Sequence, residues 1–79
     1  MTAEARELYV YTTNHFEKEI NKISPNSVAP MIAIRQTVKK AMQKYVTEYC
    51  SIDSKLEDVF SENDFAQVCE QIYNDITNN

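Results

Sequence analysis

Glycine occurs nowhere in this chain of 79 residues, and proline only twice, at Pro25 and Pro30. Glycine is the residue that accepts positive φ without steric cost, so its absence removes the tight turns on which β-hairpins most depend. The glycine-rich loops that cradle phosphates and the flexible linkers that join domains are excluded with them. What remains open to such a chain is helix, joined by turns built on proline, serine and asparagine. Its 9.2 kDa leave room for one core, because area scaling gives a folded surface of about 5,000 Å² against about 13,000 Å² unfolded. Leu, Ile, Val and Phe supply 18 of the 79 residues, which clears the roughly 20% level below which chains stay disordered. The expectation is all-α: one helical domain over residues 1–79, a small antiparallel bundle of three to four helices.

Hydrophobic spacing places the elements. Leu8, Thr12, Phe16, Ile20 and Ile23 recur every three or four residues, which predicts a first helix over about 3–23, capped by Thr2 with Glu4 in its first turn. Tyr9 to Thr13 has the composition of a strand, but a lone strand would find no partner elsewhere in the chain. Ser24 to Pro30 breaks the helical pattern, since Pro25 disfavours helix at the residue before it and Pro30 suits only a first turn. A second helix over about 29–50 follows, with Met31, Ile34, Val38, Ala41, Tyr45 and Tyr49 at near-heptad spacing. Ser54 to Glu57 has capping-box spacing for a short helix over 55–60, and Ser61 to Asp64 opens a last one over 62–77. The predicted core is Leu8, Phe16, Ile20, Ile34, Val38, Tyr45, Phe65, Val68 and Ile72.

Charge is segregated along the chain. Residues 1–23 sum to −1, residues 24–50 to +3 and residues 51–79 to −6, for a total of −4 and an isoelectric point near 4.8. The middle helix is thus a basic rod in an acidic protein. Its wheel sets Arg35 and Lys39 on one flank beside Ile32, Val46 and Cys50, at the edge of an apolar seam that is already complete. Apolar surface beyond what the seams require, at Val10, Ile32, Val46 and Tyr73, predicts a contact surface for another chain. The plain alternative is that Arg35 and Lys39 pair with acids of the last helix, at about 0–1 kcal/mol for each exposed pair.

No residue cluster announces chemistry. His15 is the sole histidine and Cys50 and Cys69 are the two cysteines, without Cys-x-x-Cys spacing, so neither a zinc site nor a redox pair is expected. Adjacent carboxylates such as Glu57 and Asp58 read as solvated surface, and the expectation is a non-enzymatic protein without metal or cofactor. A strip of Tyr11, His15, Lys18 and Lys22 shares one helical face if the first helix runs unbroken, which would suit phosphates or stacked bases. The net negative charge opposes nucleic-acid binding, and Glu4, Glu7 and Glu19 border that strip. The acidic last third allows the reverse reading, carboxylates imitating a nucleic-acid backbone to occupy a basic groove on another protein.

The reading favoured by the residues is a protein–protein interaction module, a regulator or inhibitor that binds another protein, itself included as a homo-oligomer, through Ile32, Arg35, Lys39, Val46 and Tyr73. In composition alone it looks like small accessory regulators, those of bacteriophages among them. The opening MTAEARELYVYTTN has no apolar signal region and no run reaches the ~20 apolar residues of a membrane span, so a cytoplasmic location is expected.

Overall fold

Each long helix begins where the sequence gives its free N–H groups a partner or removes the need for one. The computed structural model describes residues 1–50 and 55–78, the side chains of Leu56 and Glu57 excepted. Five helical segments follow in order: α1 (Ala3–His15), α2 (Glu17–Asn21), α3 (Pro30–Tyr49), α4 (Leu56–Val59) and α5 (Glu62–Thr77). Thr2 caps α1 by accepting the Ala5 N–H on its hydroxyl at 3.0 Å. Pro30 stands at the start of α3, where its missing N–H costs nothing. Ser61 and Asp64 complete a reciprocal capping box on α5, each side chain accepting the other's backbone N–H at 3.1 and 3.0 Å. The capping expected from Ser54 lies outside the described residues.

The fold is a small all-α helical bundle, and the strand-like stretch Tyr9 to Thr13 is helix. Helices α1, α3 and α5 pack on one another in all three pairings. Their directions follow from the cross-contacts. Thr2 meets Asp64 and Gln67 while Tyr9 meets Asp75, so α1 and α5 run parallel. Tyr45, towards the end of α3, meets Phe60 just before α5, and Arg35, nearer its start, reaches Cys69, so α3 and α5 run antiparallel. Leu8, Ile34, Val38, Val68 and Ile72 form the centre, almost wholly removed from solvent. At about 25 cal/mol per Å² of apolar surface, that centre is the main term opposing chain entropy.

Three expectations need correction. The first helix does not run from 3 to 23: Phe16, at φ −125° and ψ 28°, separates α1 from α2. Val10 to Asn14 is a run of weak helix formers, and the Thr12 and Thr13 hydroxyls donate back to the Leu8 and Val10 carbonyls at 2.7 and 3.1 Å. Such back-bonding bends helices. The joint lets Ile20 turn into the core, where α2 meets α3. Second, Phe16, Tyr45 and Phe65 lie half-buried against the core, not within it. Third, Tyr11 is only 7% exposed and belongs to the core, where the wheel of a continuous helix had set it on the outer face.

Candidate functional site

Helices α3 and α5 do not close on each other along their outer side. Between them lies an open groove of about 1080 Å³, to which α1 contributes no residue. Its apolar lining comes from Met31, Ile32 and Met42 of α3, Phe60 from the turn before α5, and Phe65 and Cys69 of α5. The gradient of burial shows how it is built. Met42, Phe60 and Cys69 are buried and form the floor, Met31 and Phe65 are half-buried on the walls, and Ile32 stands 58% exposed at the lip. An isoleucine that exposed, flanked by apolar walls, is surface that association would cover at about 2.5 kcal/mol per 100 Å² buried, before association costs.

The two lips differ in sign. Arg35 and Lys39 line the α3 side, and Glu62 and Glu70 line the α5 side. All four are exposed. Among the described residues the ion pair formed is Lys44 to Glu48 at 2.6 Å, one turn apart on α3. Arg35 and Lys39 therefore make no pair with an acid of α5 among these residues, although the groove places them opposite one another. The Arg35 charge does reach the floor, where it works against burial at the Cys69 thiol. Burial dominates and pushes that thiol up to about 11, which leaves it protonated and a poor nucleophile at neutral pH.

A second concavity, of about 630 Å³, lies between α1 and the end of α3. Tyr11, Tyr45 and Tyr49 meet there at centroid separations of 5.0–6.1 Å, and His15 lies 4.2 Å from Tyr11. Tyr45 donates its hydroxyl to Glu7 at 2.8 Å, the first cause of a phenol pushed up to about 12, with burial second. The Tyr11 hydroxyl is buried without a hydrogen-bond partner among the described residues, and burial before the neighbouring Glu48 carboxylate pushes it up to about 12 as well. The Glu48 carboxylate is held below its usual range chiefly by Lys44, its ion-pair partner one turn away. Tyr45 also stacks edge-on against Phe60 at 5.2 Å, so the aromatic cluster continues into the groove floor.

The residues singled out in the sequence divide clearly. Ile32, Arg35 and Lys39 come together in the groove. Val46 and Tyr73 are half-buried and lie outside it, Tyr73 packed against the core. The strip of Tyr11, His15, Lys18 and Lys22 is not one surface, because the Phe16 joint divides it: Tyr11 is buried on α1, and Lys18 on α2 and Lys22 at its C-cap are exposed. Met31, Met42, Phe60 and Phe65 also belong to the groove; spacing alone sets Met31 and Phe65 in the helix seams and Phe60 at a helix end, and singles out nothing at Met42. No three His, Cys, Asp or Glu side chains among the described residues are placed to hold a metal ion, and no described helix is long and apolar enough to cross a membrane. Comparison with family models, with curated proteins and with solved structures finds no match to this chain.

Proposed function

We propose that this protein is a small non-enzymatic interaction module, a regulator or inhibitor that acts by binding another protein through the face formed by α3 and α5. The observation that carries this reading is the groove. A continuous apolar floor of Met42, Phe60 and Cys69 opens at an exposed Ile32, between lips whose basic and acidic side chains are not used against each other. Grooves of that kind take an amphipathic helix or a paired helical face, with apolar anchors for affinity and flanking charges for register. The middle helix and the acidic last third, opposite in net charge along the sequence, here become the two sides of one surface.

Site-specific photocrosslinking tests it. A benzophenone amino acid at position 32, compared with one at the exposed Val28 outside the groove, is irradiated in the native host. The expected result is a discrete protein adduct from position 32 that is absent from position 28 and lost when Phe65 is changed to Glu. Equal, diffuse labelling from both positions refutes the reading.

A further inference from the structure

The occupant of the groove is written into its own lips. We infer that the face covered is that of a second copy of this chain, the two α3–α5 pairs closing across a two-fold axis parallel to the groove into an antiparallel four-helix bundle. This rests on the interaction reading above and commits it to a partner. Within one molecule α3 and α5 run antiparallel, with Arg35 near the level of Cys69 and Glu70, and with Lys39 lower, towards Glu62. A two-fold axis along the groove keeps each residue at its level and exchanges the sides, so α3 of one copy faces α5 of the other. Arg35 is thereby set against the second copy's Glu70, and Lys39 about one turn from its Glu62, within reach of a lysine side chain. A two-fold axis across the groove would instead oppose basic lip to basic lip, and like charges facing each other are strongly disfavoured.

The same operation completes the packing. Two antiparallel helices with an apolar face are half of a four-helix bundle, and closing the halves alternates helix direction around the ring. Ile32 and Phe65 of each copy then point into a shared centre above the floor of Met42 and Cys69. Helices of 20 and 16 residues, α3 and α5, are long enough to pack along several turns of the second copy. Helix α1 remains on the far side of both pairs, since it lines no part of the groove. The contact is isologous, so it ends at a dimer.

Sedimentation equilibrium on the intact chain provides the test, using wild type, R35E/K39E and E62K/E70K, with far-UV circular dichroism to establish that each variant is folded. Wild type is expected at twice the 9.2 kDa chain mass. Each variant alone opposes like lips and loses affinity by about 100-fold or more. An equimolar mixture of the two restores the dimer, because an all-acidic face then meets an all-basic one. I32E, which leaves the lips intact, is expected to be monomeric and helical, and it decides the matter should a charge variant fail to fold. Wild type that remains monomeric at hundreds of micromolar overturns the inference, as does a dimer indifferent to both charge variants and to I32E. In the first case a position-32 photoadduct containing a different protein leaves the interaction reading standing without the dimer, whereas absence of any specific adduct removes both.

Discussion

Asp64 is where two helix starts are tied together. Its side chain accepts the Ser61 backbone N–H at 3.0 Å and the Thr2 hydroxyl at 2.6 Å, and Thr2 in turn caps α1 and donates its own N–H to Gln67 at 3.0 Å. The Thr2 hydroxyl, ahead of the Ser61 backbone, holds the Asp64 carboxyl below its usual range. A carboxyl whose folded pKa is depressed contributes stability that is present above the ordinary value of about 4 and disappears as pH falls through the folded one. Asp64→Ala is therefore expected to cost about 1–2 kcal/mol in urea unfolding at pH 7, the upper range for a lost cap, and the difference from wild type narrows below about pH 4. Tyr9, Tyr11 and Tyr45 shift the other way, each pushed up to about 12, Tyr9 chiefly by its hydrogen bond to Asp75. Their contribution is complete below about pH 10 and is lost as pH rises towards 12. Ultraviolet titration of tyrosinate is expected to show three of the five phenols ionising late and together with unfolding; five normal titrations would disprove the hydrogen bonds of Tyr9 and Tyr45 to Asp75 and Glu7 and the burial of Tyr11.

At the scale of the element, most boundaries are legible because they are set by local chemistry. Thr2, Pro30 and the Ser61–Asp64 box each act within three or four residues, and such effects are visible in sequence. The Phe16 joint is not of that kind. The spacing of Leu8, Thr12, Phe16, Ile20 and Ile23 fits an unbroken helix, and the break is worthwhile only because it turns Ile20 onto α3, a tertiary gain no window of sequence contains. Phe16 keeps the link short, its N–H donating to the Thr12 carbonyl at 2.8 Å and its carbonyl accepting from Ile20 at 3.0 Å. A segment of five residues cannot sustain itself as a helix, so α2 exists by virtue of that packing. Native-state hydrogen exchange is expected to find the amides of Glu19 to Asn21 opening locally, well below the free energy that exposes those of Ile34 to Met42. Equal protection in the two segments would mean that the joint does not separate them energetically. The groove was legible in half: one wheel showed that Ile32, Arg35 and Lys39 share a flank of α3, but the wall opposite, Phe60 and Phe65, depends on how two helices are set beside each other.

For the whole molecule, the decisive contrast lies between two isoleucines one helical step apart in role and two residues apart in sequence. Ile34 is fully buried between α1 and α5, and Ile32 is 58% exposed at the lip of the groove. If the fold and the binding face are separate, each change should register in one measurement only. Ile34→Ala removes buried methylenes from the centre and is expected to cost about 2–5 kcal/mol of monomer stability, a large share of what a chain this size possesses. Ile32→Glu puts a charge where water already reaches, and is expected to leave unfolding of the monomer within about 0.5 kcal/mol of wild type, measured at concentrations too low for association. Its loss should instead be in binding, because a carboxylate closed into an apolar interface is costly whether the partner is another protein or a second copy. Comparable destabilisation by both changes would mean that Ile32 serves the monomer's own core. The α3–α5 face would then be an ordinary surface, and the basic and acidic lips only the outer sides of two neighbouring helices.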